Sequence, residues 1–349
     1  MRRDEIVGWL RETDRGKLGE LWWRADALRR RCVGDAVHLR GLVELSNKCA
    51  RQCGYCGLRA GNAALPRYRM THDEILACAR MAQELGYGTL VLQSGEDPTM
   101  DPEWLAGVVR QITTTTPLAV TLSLGEWGAD VLGLWREAGA DRYLLRFETA
   151  DEELFQRIHP PMPGRPSSRF EVLRSLRELG YEVGSGILIG FPGQSYDELA
   201  RCIEVLRELE LDMIGSGPFI PHPDTPLGGS HGDAAPDQVP ADDLMTYKVL
   251  ALARIVRPYA NIPATTALAT LDKASGYERG LQRGANVIMP NLTPVRYRTL
   301  YEVYPGKTGT APKDTYYDDI KARIEALGRT VGVGPGSSAC RTGAAAHPA

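Results

Sequence analysis

Sulfur is scarce in this chain: 7 cysteines stand among 349 residues. An odd number, thinly spread over a long sequence, argues against a disulfide framework, which belongs to short, cysteine-dense secreted chains. An excess of charge is missing as well. Lys and Arg number 41 against 44 Asp and Glu, for a net charge of −3. That balance gives no electrostatic case for nucleic acid or an anionic membrane as partner. No apolar run approaches the roughly 20 residues of a membrane span. The opening residues, MRRDEIVGWLRET, lack the apolar core and small-residue cleavage site of a signal peptide. These absences together lead us to expect a cytoplasmic protein. What the chain does have is core material. Its hydrophobic content of 43% suits one large domain or two ordinary ones.

The periodicity changes once and then settles into a rhythm. Residues 1–36 carry apolar residues at helical spacing and read as an N-terminal helical segment. From Val37 onward short apolar strands alternate with helices. Candidate strands are Val37–Ser46, Thr89–Ser94, Leu118–Leu124, Arg142–Glu148, Glu182–Gly190, Met213–Phe219, Ile262–Leu268 and Asn286–Asn291. Eight such units in a row predict an α/β protein, a closed (β/α)8 TIM barrel over residues 37–328. Chemistry in such barrels sits at the C-terminal ends of the strands. The closing stretch, 329–349, is small, polar and aperiodic, and is expected to be a disordered tail.

Three of the scarce cysteines fall together. Cys49, Cys53 and Cys56, in CARQCGYC, follow the first strand directly. Thiolates are soft ligands, and three on one loop can converge on one site. A structural zinc ordinarily takes four ligands in two separated pairs, and no second pair exists here. Three cysteines suit a 4Fe-4S cluster that leaves one iron open to a small molecule. The alternatives are an incidental zinc loop or core cysteines. Cys32, Cys78 and Cys202 lie in helical patterns and read as core or surface, while Cys340 sits in the tail.

Other strand ends carry polar groups on the same face of the barrel. They include Gln93-Ser94-Gly95-Glu96-Asp97, then Thr121 and Ser123, which point the same way by period two. Arg146 and Glu148 also share a side; they either face a ligand or pair with each other. Arg169 opens a helix, where it either clamps a carboxylate or is solvated. Thr265 and Thr266 end the seventh candidate strand. Phe147, between two inward residues, is expected to point outward against a helix. His222 reads as a structural hydrogen-bonding residue.

CxxxCxxC with an aromatic, Tyr55, before its third cysteine resembles the radical S-adenosylmethionine superfamily. The resemblance implies that the open iron binds the amine and carboxylate of S-adenosylmethionine, and that an electron from the cluster releases a 5′-deoxyadenosyl radical. Residues 93–97 take the place of the superfamily's GGE motif, so Gln93, Ser94 and Glu96, with Ser123, are expected at the cofactor. The segments YRMTHDEI, LVLQSGEDP, TLSLGEW, GADRYLLRFETA, GPFIPHPDTPL, NIPATTA, GANVIMPNLTP and YPGK follow one another in that order. Over about residues 35–310 they resemble the HydE family of FeFe-hydrogenase maturases. By that likeness Glu148 and Arg169 hold S-adenosylmethionine, with Met289 nearby. Gln93, Thr121, Arg146, Thr265, Thr266 and Tyr304 line the substrate cavity, with Thr121, Arg146 and Tyr304 closest to the chemistry. The implied substrate is a cysteine-bound Fe(CO)2(CN) precursor of the diiron subcluster. The implied partners are an electron donor such as ferredoxin or flavodoxin and other hydrogenase maturases.

Two departures stand out. Many relatives carry further cysteines after YPGK for a second cluster; Lys307–Ile324 has none here, so one cluster is expected. Phe147 stands where the family has histidine. Competing readings are an amino-acid mutase like methylornithine synthase, sulfur insertion like biotin synthase, and a non-catalytic cluster carrier. Sulfur insertion needs cysteines on strand ends, which are absent. Inward polar residues on several strands disfavour the carrier.

Overall fold

The structure is a computed structural model that describes residues 1–162, 164, 168–229, 237–307 and 313–340. Helices α1 (Arg3–Arg11) and α2 (Arg15–Val33) precede β1 (Ala36–Ser46). Next come α3 (His72–Glu84), β2 (Thr89–Ser94), α4 (Pro102–Thr115), β3 (Ala119–Ser123), α5 (Ala129–Glu137) and β4 (Ala140–Leu144). Helices α6 (Glu152–Ile158) and α7 (Arg169–Glu178) lead to β5 (Glu182–Ser185) and β6 (Leu188–Ile189). Then follow α8 (Tyr196–Glu208), β7 (Met213–Ile214), β8 (Gly217–Pro218), α9 (Asp243–Val256), α10 (Thr266–Leu271) and α11 (Gly276–Gln282). The last elements are β9 (Val287–Ile288), α12 (Val295–Arg298), α13 (Lys313–Ala326) and β10 (Thr330–Val331).

The strands form a ring. β1, β2, β3, β4, β5 and β7 pair in parallel, in that order. Single parallel bridges carry the ring on, from Met213 to Asn261 and from Pro263 to Val287. β9 then pairs with β1. Eight staves therefore close the barrel, one of them the short segment 261–263. Local chemistry explains the helices that wrap it. Thr71 and Glu74 make a capping box on α3. Asp101 caps α4 ahead of Pro102 at its first turn. On α8, Leu199, Ile203 and Leu206 are fully buried, the stripe expected of a helix lying on a sheet. Helices α1 and α2 pack on α8 and α9, with Ile6 and Leu10 fully buried. No helix among the described residues is long and apolar enough to cross a membrane.

Four strand predictions need correction: the sixth breaks at Gly215 and Ser216 into β7 and β8, and in three others a long-range contact overrides the local pattern. The fourth strand leaves its ladder after Leu144, and Glu148 adopts φ +65°. The fifth splits at Gly186, where a Cβ would stand 2.1 Å from the Gly215 carbonyl oxygen. The seventh is short, because Thr265 already caps α10 with its side chain and Thr266 begins that helix.

The tail also differs from expectation. Residues 329–340 are packed against the barrel; 341–349 lie outside the described residues. β10 pairs with β1 at Ala36 and Val37. The floor of the barrel is an ionic layer, in which Arg142 donates to Glu182 at 2.9 Å and to Thr89 at 3.0 Å. Arg142 Nη2 also reaches the Pro335 carbonyl oxygen at 3.1 Å and Ser337 Oγ at 3.0 Å. Arg40 and Asn261 each donate to the Gly336 carbonyl oxygen at 3.0 Å. These buried donors need acceptors, and the tail's carbonyls provide them. That is why a segment without hydrophobic periodicity is ordered.

A Cβ at Gly88 would stand 1.6 Å from the Gly334 carbonyl oxygen. Gly88→Ala should therefore lower stability by about 2 kcal/mol and expose the tail to protease. Denaturant melts and limited proteolysis check this; an unchanged melt would contradict the plug.

Candidate active site

The cysteine loop is built on backbone pins. Ala50 N–H donates to the Glu96 carbonyl at 2.8 Å, Gly54 N–H to that of Ile158 at 2.7 Å, and Gly57 N–H to that of Val303 at 2.9 Å. Each donor directly follows one cysteine, so each sulfur-bearing residue is fixed by a different neighbour. Arg67 knits the loop from within, donating to the carbonyl oxygens of Asn47, Leu58, Arg59 and Asn62 at 2.7–3.1 Å. Two glycines permit the close approach. A Cβ at Gly57 would meet the Glu302 carbonyl oxygen at 2.3 Å, and one at Gly95 that of Lys48 at 2.3 Å.

All three cysteines line one cavity of about 210 Å³ at the barrel mouth. Burial pushes their thiols up, and the neighbouring sulfurs add to this for Cys53 and Cys56, the latter reaching about 12. Such thiols stay protonated until a metal displaces the proton. No three His, Cys, Asp or Glu side chains among the described residues stand close enough to hold a single ion. Three cysteines on one cavity suit a cluster whose irons are held one per cysteine.

Around the cysteines runs a buried ionic network. Arg51 pairs with Glu96 at 2.6 Å and Glu126 at 3.2 Å. Arg169 pairs with Glu126 at 3.1 Å, approaches Glu148 at 3.8 Å, and donates to the Arg146 carbonyl oxygen. Tyr55 Oη donates to Glu148 Oε1 at 3.2 Å. His159 Nδ1 is 3.0 Å from Cys53 Sγ. Burial, with the charges of Arg169 and Arg51, pushes His159 down to about 2 and keeps its ring neutral.

The network is incomplete at certain atoms. Arg51 Nη1, Thr121 Oγ1, Arg146 Nε and Glu148 Oε2 are buried with no hydrogen-bond partner. Arg146 Nη2 is 2.9 Å from Glu148 Oε2, an ion-pair distance without hydrogen-bond alignment. Buried orphans cost roughly 1–3 kcal/mol each, so they mark where a polar ligand would complete the site. The positive φ of Glu148 adds backbone strain at the same point. A cofactor with an amine, a carboxylate and ribose hydroxyls fits this donor and acceptor set.

The cavity wall brings together Gln93, Ser94, Glu96, Ser123, Arg146, Glu148 and Arg169 with the cysteines. Thr121 is buried two residues before Ser123 on β3, one layer deeper. Thr265, Thr266, Met289 and Tyr304 lie off this wall. Thr265 Oγ1 accepts from Leu268 N–H, and the Thr266 carbonyl accepts from Thr270 Oγ1. Met289 is half-buried just beyond β9. Burial raises the Tyr304 phenol, which bonds the Thr270 side chain. Phe147 is buried and stacks on Phe170 of α7 at 5.5 Å. His222 is buried, its Nδ1 accepting from Asp224 N–H at 3.1 Å.

Sequence reasoning missed Arg51, Glu126, His159, Glu44 and Lys307. Arg51 carried a signal: it lies between two of the clustered cysteines. Glu44 points inward beside Gln93 in the β1–β2 register. Its carboxylate pairs with Lys307 and accepts from Asn291 at 3.1 Å. Glu44 is fully buried, so removing its cation leaves an uncompensated charge.

Two outcomes follow. Cys53→Ala should fold but fail to take up a four-iron cluster, read as loss of the cluster's visible absorption and iron content; an unchanged spectrum would refute the ligand assignment. Lys307→Met should destabilise the fold by about 3–5 kcal/mol, and Glu44→Gln in the same chain should recover most of the loss in denaturant melts.

The comparisons with known proteins agree with this geometry. A family model, the Radical SAM superfamily, matches residues 43–206. The chain is 48% identical over 331 residues, covering 95% of its length and 92% of the relative, to the FeFe hydrogenase maturase subunit HydE of Thermotoga maritima. It is 26% identical over 287 residues to 3-methylornithine synthase of Methanosarcina acetivorans, covering 82% of this chain and 78% of that one. The solved structure of methylornithine synthase (PylB) superposes with TM-score 0.78 at 23% identity, covering 95% and 94% of the two chains, which speaks for the fold alone. Three pinned cysteines at the mouth of this barrel, together with near-half identity along almost its whole length, make the chain a member of the HydE family of radical S-adenosylmethionine enzymes.

Proposed function

We propose that this chain acts in FeFe-hydrogenase maturation, on a cysteine-bound Fe(CO)2(CN) precursor of the diiron subcluster. The observation that carries the reading is the set of orphaned buried atoms, Thr121 Oγ1, Arg146 Nε and Glu148 Oε2, in a barrel mouth also lined by three cysteines. The whole-chain similarity to HydE gives that mouth its chemistry. When bound, the reduced 4Fe-4S cluster supplies the electron that cleaves S-adenosylmethionine into methionine and a 5′-deoxyadenosyl radical.

The protein's own groups do the holding. Cys49, Cys53 and Cys56 would hold three irons of the cluster and leave the fourth for the cofactor. The carboxylate of Glu96 and the backbone at Ser94 and Gly95 suit the cofactor's amine, with Ser123 beside them. Arg169 suits its carboxylate, as a fixed fork that matches one bidentately. Glu148 Oε2, lacking a donor, suits a ribose hydroxyl. Gln93, Thr121 and Arg146, nearer the barrel axis, orient the iron complex. Thr265, Thr266 and Tyr304 close that cavity from the far arc, with Met289 at its edge. The tail plug keeps the floor shut, so a reactive species meets substrate rather than water. Ferredoxin or flavodoxin is the proposed electron donor, other maturases the partners, and the cytoplasm the place of action.

Arg146 separates the two halves of this site. Arg146→Ala should leave S-adenosylmethionine cleavage within about tenfold, while turnover of the iron complex falls about 100-fold, the size expected for one charge-assisted contact of nearly 3 kcal/mol. Measuring 5′-deoxyadenosine and substrate consumption side by side checks it. Cleavage lost with substrate binding intact would place Arg146 at the cofactor.

A further inference from the structure

His159 lines the site, but the function proposed above gives it no role. It ends α6, its backbone N–H donating to the Phe155 carbonyl at 2.7 Å, and its ring stacks on Phe155 at 4.9 Å. The ring is almost wholly buried and wedged between Cys53 and Arg169. We propose that His159 donates a hydrogen bond from Nδ1 to the Cys53 sulfur and thereby raises the reduction potential of the cluster held there. The inference rests on the cluster reading given above.

The proton's place follows from the neighbours. Arg169 Nη2 is 3.2 Å from His159 Nε2 and 3.5 Å from Nδ1. That near-equal reach puts the guanidinium off the lone-pair axis of either nitrogen, so the sulfur decides: a cluster-bound thiolate has no proton to give, and the contact is a hydrogen bond only with the proton on Nδ1. The Nδ1 proton faces Cys53 Sγ at 3.0 Å. Glu126 Oε1, at 3.8 Å from Nε2, is too distant to hold the proton there instead.

Cys53 is singled out by this arrangement. Cys49 faces backbone groups of Arg51 and Glu96, and Cys56 the backbone of Leu58. Among the described residues only Cys53 of the three is given a side-chain donor. One-electron reduction adds negative charge to the cluster and its thiolates. An N–H donor on a ligating sulfur stabilises the more negative state, and so shifts the couple upward. Arg169 lies against the same ring, 3.2 Å from Nε2 and 3.5 Å from Nδ1. Its position links the group proposed to hold the cofactor's carboxylate to a cluster ligand through one imidazole.

The experiment compares the full-length wild type with His159→Phe and His159→Asn, reconstituted anaerobically with iron and sulfide. Iron content and cluster absorption establish loading first. A redox titration followed by electron paramagnetic resonance then reads the midpoint. His159→Phe should lower the reduced-to-oxidised ratio about tenfold at a fixed potential, a shift of ~59 mV for a one-electron couple. His159→Asn keeps an N–H near the Nδ1 position and should recover most of it. Proton ENDOR on the reduced wild type should show an exchangeable coupling that is absent in His159→Phe. A fully loaded His159→Phe with an unchanged midpoint overturns the proposal. Should that variant not retain its cluster, a wild type lacking the exchangeable coupling overturns it equally. A wild type that takes up no four-iron cluster would instead overturn the reading beneath.

Discussion

One buried guanidinium ties the mouth of this barrel together. Arg169 sits in the first turn of α7, where a cation opposes the helix dipole. It is held there by Glu126, Glu148, the Arg146 carbonyl and His159. These groups come from the end of β3, the end of β4 and the end of α6. Removing a buried cation from such a set costs up to roughly 3–5 kcal/mol, because two buried carboxylates each lose a partner. A helix would not accept that placement for its own stability. The site makes the placement favourable, and the cysteine loop, through Cys53 and His159, is fixed by it.

The barrel is layered by chemistry. Its floor is ionic and closed by tail carbonyls, which accept from Arg142 at 3.1 Å and Arg40 at 3.0 Å, while Arg40 Nε has no hydrogen-bond partner. Above lies an apolar ring that includes Leu42 and Val91, both buried, with Thr121 as its polar exception. The mouth is ionic again, and there Arg51, Arg146 and Glu148, each with an orphaned atom, line the cysteine cavity, which puts the ligand at the C-terminal ends of the strands, as the fold class expects.

The early strands were legible because local pattern and tertiary placement agree there. β1, β2 and β3 sit within a residue or two of their expected bounds, and period two put Thr121 and Ser123 on one side. The cysteine triplet was legible from spacing alone. Agreement fails later, where the chain answers to distant atoms. Gly186 must clear the Gly215 carbonyl, so the fifth strand breaks. Thr265 spends its hydroxyl on α10, so the seventh strand stops early. Residues 334–338 carry no period, yet they dock because buried arginines need acceptors. Arg51, Glu126 and His159 share the same cause: a charge or a ring becomes meaningful only when partners from other strands are known. No local signal points to His159, which merely ends a seven-residue helix.

The central claim is that this mouth holds a cluster, S-adenosylmethionine and an organometallic substrate together. The most direct measurement is anaerobic. The reconstituted, reduced chain receives S-adenosylmethionine and the cysteine-bound Fe(CO)2(CN) complex, followed by electron paramagnetic resonance and mass spectrometry. The account predicts an adenosylated sulfur species together with a new iron-centred signal. Release of 5′-deoxyadenosine with the iron complex unchanged would contradict it, and would move the substrate to another class, amino acids such as lysine first.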